Sequence, residues 1–183
     1  DNIDVEFAKS KGIHVINTPN AFAKSVAELV FAHFLTLIRF LHDSNRNMPL
    51  EGDSKFAFLK KSYEKATELS GKTLGIIGFG NIGKEVAKIG IGLGMKIIFY
   101  SRKPKTDTIS LEFFDGRTID FEFTSIQDME TFLKEADFIS INTSETTEYI
   151  IDTPEFEMMK DGVFIVNTAK GGVINEVTLI DYI

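Results

Sequence analysis

The sequence predicts an α/β fold built on a doubly wound parallel sheet. Short apolar strands at Thr73–Ile77, Lys96–Tyr100, Phe138–Ile141 and residues 163–166 are separated by helical stretches. Such alternation is typical of parallel βαβ units, which right-handed crossovers arrange into a doubly wound sheet. A glycine-rich turn follows the first of these strands and opens a helix, as expected where such a sheet binds a ligand.

The chain before this pattern is organised differently. Residues 12–17 are predicted as a short strand that ends at Thr18-Pro19-Asn20, because proline has no backbone donor. From Ala21 to His42, apolar residues recur at helical spacing on most sides, which predicts a helix buried at a domain or subunit interface. Packing of that helix inside a single chain is the alternative. Residues 43–70 are polar and predict a connection with one short helix.

The remaining elements follow the first strand. We predict a helix over residues 81–93 with Gly94 at its C-terminal cap, and a third strand over residues 118–123. Ser125 is the expected N-cap of a helix over residues 126–135, and a further helix is expected at residues 154–160. The last residues, 175–183, have the pattern of a helix cut short, so we interpret the chain as part of a longer protein.

Composition excludes several classes of function. The 183 residues are 43% hydrophobic, enough for a core, and the net charge of -7 argues against a nucleic-acid partner. The absence of cysteine excludes disulfides, thiolate nucleophiles and cysteine-based metal sites, and we expect no metal. The longest apolar stretch, from Val26 to Leu41, is too short and too charged to span a membrane. We expect a cytoplasmic protein, with which the absence of cysteine is compatible.

The glycine-rich turn reads Gly78-Phe79-Gly80-Asn81-Ile82-Gly83. Gly78 permits a tight turn out of the strand, Gly80 lets a pyrophosphate approach the backbone, and Gly83 allows close packing of helix on sheet. The helix that starts at Asn81 and Ile82 offers unpaired amides to the phosphates. This context predicts a Rossmann-type dinucleotide-binding domain, the alternative being a turn that binds nothing.

The end of the next strand indicates which dinucleotide is bound. NAD-specific domains usually place Asp or Glu there, to accept hydrogen bonds from the adenosine ribose. This chain has Ser101, Arg102 and Lys103 after Tyr100. A serine can donate to a 2′-phosphate, and the two cations can pair with it. We therefore expect NADP(H) to be preferred, with NAD possible. The alternative is that the cations are solvated loop charges and the selectivity is loose.

Several motifs together resemble the D-isomer-specific 2-hydroxyacid dehydrogenases, in the family's order and over nearly the whole chain. The segments are Asp1-Asn-Ile-Asp4, Asn17-Thr-Pro19, Ser25-Val-Ala-Glu28, Gly71-Lys-Thr-Leu-Gly-Ile-Ile-Gly-Phe-Gly-Asn-Ile-Gly83 and Asn167-Thr-Ala-Lys-Gly-Gly172. The Tyr-Ser-Arg-Lys stretch resembles the NADPH-preferring glyoxylate/hydroxypyruvate reductase branch.

The resemblance implies a domain organisation and a reaction. Residues 1–18 would be the tail of the substrate domain and its hinge, and residues 19–183 the cofactor domain. The chain would be truncated at both ends relative to the family, with the cofactor domain incomplete at its C-terminus. The family transfers a hydride between a nicotinamide and a small 2-keto or 2-hydroxy acid. The resemblance also implies a homodimer through the helix from Ala21 to His42.

The resemblance further implies site residues. Lys170 takes the place of the family's substrate-binding arginine; it keeps the charge but loses the bidentate fork. It is our candidate catalytic residue; a changed substrate, a degenerate site or a solvated lysine are the alternatives. Thr143, Thr168 and Ala169 are expected beside the cofactor, although the loop after Ile141 lacks the family's His-x-Pro.

The family's catalytic histidine and its acidic partner would lie beyond this chain, so the fragment itself is expected to be inactive. His14, His33 and His42 do not match that motif, and for His33 and His42 we expect structural roles. The rival hypotheses are a non-catalytic, dinucleotide-sensing binding protein similar to the corepressors of this fold, and a degenerate structural homologue.

Overall fold

The structure, a computed structural model, describes residues 3–18, 20–143 and 147–183. Within these residues the strands are β1 (Thr73–Ile77), β2 (Lys96–Tyr100), β3 (Thr106–Glu112), β4 (Thr118–Thr124), β5 (Phe138–Ile141) and β6 (Phe164–Asn167). The helices are α1 (Val5–Ser10), α2 (Ala23–Ile38), α3 (Leu41–Ser62), α4 (Asn81–Gly92), α5 (Met129–Glu135), α6 (Thr153–Met158) and α7 (Glu176–Leu179).

Four of the strands form a parallel sheet in the order β2-β1-β5-β6. Strand β2, the next in the chain, pairs with β1 on one side, and β5, which comes later, pairs with β1 on the other. The strand order therefore reverses between β1 and β5, and in such sheets ligands bind in the crevice at that point. The predicted α/β fold with a parallel sheet is confirmed.

Helices cover both faces of this sheet because the strand side chains alternate between two cores. Leu74 and Ile76 of β1 belong to a cluster with apolar residues of α2 and α4. Ile139 and Ile141 of β5 belong to a second cluster with residues of α5 and α6. The carboxyl ends of the strands are thus fixed from both sides.

Helix α4 is capped at its C-terminus by Gly94, as predicted. The amide of Gly94 donates to the carbonyl of Ile91, and that of Met95 donates to the carbonyl of Gly90, both at 3.0 Å. These two bonds form a Schellman motif, which needs the positive φ of 76° found at Gly94.

The predicted strand at residues 12–17 is wrong. The segment follows helix α1 as irregular chain and pairs with no strand among the described residues. Its apolar side chains Ile13 and Ile16 are exposed, so the short apolar run does not form the buried face that a strand would have. Pro19, the predicted break, lies outside the described residues, as do Asp1 and Asn2 of the first family motif.

The long predicted helix is interrupted. Helix α2 stops at Ile38, and Phe40 takes a left-handed conformation with φ 53°. The chain then continues as α3, so the expectation of one short helix in residues 43–70 is also wrong. Helix α3 buries only Leu59 along its described length, which explains why its apolar pattern is weak. No single helix of the described residues is long and apolar enough to cross a membrane; α2 and the following helix through Lys65 pass that test only as a pair bent by 51°.

The third predicted strand does not join the parallel sheet. It is β4, which pairs antiparallel with β3 in a separate hairpin. Ser125 does not cap the next helix, because Asp128 caps α5 and its carboxylate accepts from the amide of Thr131. Ser125 instead accepts a hydrogen bond from the amide of Lys105, which leads into the hairpin.

Candidate functional site

The turn after β1 lies at the point where the strand order reverses. Gly78 has φ 92°, and a Cβ there would lie 2.7 Å from the carbonyl carbon of Asn142 and the amide nitrogen of Thr143. Both neighbours are backbone atoms at the end of β5, so they cannot swing aside. A glycine is therefore required where the ends of β1 and β5 meet.

The other two glycines of the turn differ sharply in their surroundings. A Cβ on Gly83 would lie 2.3 Å from the carbonyl oxygen of Gly78, so α4 approaches the turn as closely as a glycine permits. A Cβ on Gly80 would meet nothing within 4 Å. The side of the turn at Gly80 is thus open, and with no side chain there the backbone is accessible in the way that a pyrophosphate site requires.

Helix α4 begins at this open side. Its first backbone hydrogen bond runs from the amide of Lys84 to the carbonyl of Gly80, at 2.9 Å. The amides of Asn81, Ile82 and Gly83 precede that bond, and helix geometry gives them no carbonyl partner inside the helix. With the positive end of the helix dipole, they form a site suited to phosphate.

A cleft of about 680 Å³ extends from this turn along the end of β2. Gly78 and Phe79 form one part of its wall, and Ser101 and Arg102 form another. Lys103 is exposed and lies outside this lining, although the sequence placed it with Arg102. Two of the three residues predicted after β2 are therefore gathered at the cleft, and the third is not.

A cation that the sequence analysis missed also lines the cleft. Lys105 donates from Nζ to the carbonyl oxygen of Phe79 at 3.2 Å and pairs with Asp107 at 2.8 Å. The other oxygen of Asp107 lies 2.6 Å from Nζ of Lys84 on α4. Burial alone would raise the pKa of Asp107, but the hydrogen bonds from Lys105 and Lys84 outweigh it and hold that pKa below its usual value.

A second group of predicted residues lies at the ends of β5 and β6. Oγ1 of Thr168 donates to Oδ1 of Asn142 at 3.0 Å and so ties the two strand ends together. Thr143 also lines the cleft, whereas Thr168, Ala169 and the exposed Lys170 lie outside its lining. Residues 144–146 of the altered loop lie outside the described residues.

The three histidines are not at this site. His14 lies in the irregular segment after α1, and His33 and His42 are exposed on α2 and α3. Neither helical histidine is buried, so the structure does not support the expected satisfied structural role for them. Within residues 3–18, 20–143 and 147–183, no three His, Asp or Glu side chains converge as metal ligands.

Fold and turn together define a doubly wound dinucleotide-binding domain. A family model described as "D-isomer specific 2-hydroxyacid dehydrogenase, NAD binding domain" matches residues 31–183. The chain belongs to that family, which confirms the resemblance found in the motifs.

Individual relatives agree with this assignment. The chain is 46% identical to a hydroxypyruvate reductase of Thermotoga maritima over 98% of its own length and 53% of the relative. It is 37% identical to a glyoxylate reductase of Thermococcus litoralis, again over 98% of the chain and 52% of the relative. The chain thus spans about half the length of the curated relatives it matches.

Solved structures show the same fold. The holo form of Rhodotorula graminis D-mandelate dehydrogenase matches with a TM-score of 0.79 at 25% identity, over 98% of this chain and 51% of that one. The D-lactate dehydrogenase of Aquifex aeolicus, solved with NAD and lactic acid, matches with a TM-score of 0.68 at 32% identity. That match covers 99% of this chain and 50% of the other.

Proposed function

We propose that this chain is the cofactor domain of an NADP(H)-dependent reductase that acts on a small 2-keto acid such as glyoxylate or hydroxypyruvate. One observation carries the cofactor preference: the cleft beside the glycine turn is lined at the end of β2 by Ser101 and Arg102. No Asp or Glu stands at residues 101–105, where an NAD-specific domain would bind the ribose hydroxyls.

The residues that would hold the dinucleotide fall into two groups, one on each side of the reversal in strand order. The pyrophosphate would bind at the open side of Gly80 and the amides of Asn81, Ile82 and Gly83. The adenosine half would extend toward the end of β2, and the nicotinamide half toward Thr143, Thr168 and Ala169. When bound, the nicotinamide supplies the hydride that reduces a 2-keto acid.

Lys170 would bind the substrate carboxylate. It follows β6 and Ala169 at the carboxyl edge of the sheet, on the side proposed for the nicotinamide. A lysine offers a compact charge rather than the paired donors of arginine, so it would orient the acid less strictly. Substrate binding through this residue is therefore expected to tolerate small changes in the 2-keto acid.

The remaining assignments complete the proposal. Residues 1–18 would be the tail of a substrate domain with its hinge, residues 19–183 would be the cofactor domain, and the protein would be cytoplasmic. The chain alone would bind cofactor without turnover, since a reduced keto acid needs a proton donor within hydrogen-bond reach. None of the three histidines lies on the described lining of the cleft.

A homodimer through α2 is also part of the proposal. Six residues of α2, including Val30 and Phe34, are buried in the chain's own core. Leu29 and Leu37, which lie about two turns apart on the helix, are nevertheless 49% and 48% exposed. Such exposed apolar residues are suited to a second copy of the chain.

Replacing Leu29 and Leu37 together with Asp should convert the dimer to a monomer, because two charges would be buried at the interface. Light scattering coupled to size exclusion measures the mass of each variant. Leu50→Asp, at an 84% exposed position on α3, should leave the dimer intact. A wild-type chain that is monomeric at all concentrations would refute the proposed interface.

The central experiment is titration of the chain with NADPH and with NADH, with nicotinamide fluorescence as the measure of binding. We expect NADPH to bind at least about tenfold more tightly than NADH, since its 2′-phosphate gains charge-assisted hydrogen bonds at Ser101 and Arg102. Tight NADH binding without NADPH binding would contradict the preference.

The reaction is tested on the full-length protein. We expect it to reduce glyoxylate or hydroxypyruvate with NADPH. Binding of NADPH without turnover of any 2-keto acid would instead favour the dinucleotide-sensing, corepressor-like function.

A further inference from the structure

The β3–β4 hairpin brings a second cation to the cleft beside Arg102. Lys105 lies four residues after Ser101, immediately before β3, and its side chain lines the same cleft. Its Nζ lies 3.2 Å from the carbonyl oxygen of Phe79, the residue between the first two glycines of the turn. The ammonium is therefore held between the glycine turn and Asp107 of β3, in the cleft that Ser101 and Arg102 also line.

The backbone of Lys105 is fixed by the hairpin's own hydrogen bonds. Its amide donates to Oγ of Ser125 at 2.9 Å, and its carbonyl accepts from the amide of Ser125 at 2.8 Å. Ser125 is only 6% exposed, so this pair is anchored in the interior. Phe123 of β4 also packs edge-on against the ring of Phe79, with 6.5 Å between centroids.

The side chain of Lys105 is restrained as well, but it is not neutralised. Asp107 is 15% exposed and shares its carboxylate between Lys105 and Lys84. One negative charge facing two ammonium groups leaves a net positive charge. The Lys105 side chain is still 44% exposed, so it can reach an anion in the cleft. A preorganised cation of this kind loses little side-chain entropy on binding.

We propose that Lys105, rather than Lys103, acts with Ser101 and Arg102 as the residue that selects the phosphate on the adenosine ribose of NADP(H). This inference rests on the proposed function, because it assumes that a dinucleotide occupies the cleft. Lys103 is adjacent to Arg102 in sequence but lies outside the described lining of the cleft. Sequence proximity and spatial proximity therefore point to different lysines.

Two small probes separate the phosphate contact from general binding. The nucleotide 2′,5′-ADP carries the ribose phosphate, and 5′-AMP lacks it. By titration calorimetry on the whole chain, Lys105→Gln should weaken 2′,5′-ADP binding about tenfold and 5′-AMP binding less than about twofold. The matched variant Lys103→Gln should change both by less than about twofold. Lys105→Arg, which keeps the charge, should retain the preference for 2′,5′-ADP.

Each failure has its own signature. If the unaltered chain binds neither probe nor NADPH, the proposed function fails. If it binds both probes equally, the preference for NADP(H) fails. If it prefers 2′,5′-ADP and Lys105→Gln keeps that preference, Lys105 does not contact the phosphate and the present inference fails. Equal loss of both probes in Lys105→Gln would also overturn it, because the lysine would then only support the turn at Phe79.

Discussion

Gly83→Ala is expected to destabilise the domain by about 2 kcal/mol and to abolish dinucleotide binding. The new Cβ would lie 2.3 Å from the carbonyl oxygen of Gly78, a backbone atom that cannot move without displacing the turn. Overpacking of this kind costs up to about 3 kcal/mol. The gain in helix propensity from Gly to Ala returns only about 1 kcal/mol. Urea denaturation and NADPH titration measure the two effects.

Gly80→Ala is the matched control for this change. Its Cβ would meet nothing within 4 Å, and its φ of -92° suits alanine, so stability should change by less than about 1 kcal/mol. The methyl group would nevertheless project toward the proposed pyrophosphate position and weaken NADPH binding. Unchanged NADPH affinity in both variants would show that the dinucleotide binds elsewhere.

Phe34→Ala should produce the largest loss of stability, about 4 kcal/mol. The ring is completely buried between α2 and the sheet. It makes edge contacts with Phe31 and Phe138, at centroid distances of 6.0 and 5.2 Å. Removing it opens a cavity that the surrounding strands cannot fill. The midpoint of urea unfolding measures the loss.

Phe114→Ala provides the same chemical change at a fully exposed position at the hairpin tip. Its effect should lie within about 0.5 kcal/mol. A similar loss in both variants would mean that α2 does not pack against the sheet as described. Because Phe34 is completely buried whereas Leu29 and Leu37 are about half exposed, the change tests the core rather than the proposed dimer surface.

The parallel sheet was predictable because its strands carry their own evidence. Thr73–Ile77 and Phe138–Ile141 are short apolar runs bounded by glycine or polar residues, and both appear with the predicted bounds. The glycine spacing in the turn likewise requires a strand before it and a helix after it. These are local properties, and each can be recognised within a window of about ten residues.

The polar helix and the first strand of the hairpin were not predictable by the same means. Helix α3 buries almost nothing along its length, so no apolar stripe reports its presence. Strand β3 alternates weakly, because only Ile109 is fully buried in it. The segment at residues 12–17 shows the reverse error, since its apolar residues predict a strand but pair with no strand among the described residues. A strand needs a partner, and that partner is not encoded locally.

The amino-acid sequence by itself determined the sheet, the glycine turn, the family and the absence of a carboxylate after Tyr100. Each of these depends on residue type and spacing within a short stretch of chain. Only the tertiary structure decided that Gly78 touches the end of β5, that α2 buries Phe34 but leaves Leu29 and Leu37 about half exposed, and that Lys105 rather than Lys103 reaches the cleft. These facts arise from contacts between residues far apart in sequence, because the folding of the hairpin and the order of the strands bring them together.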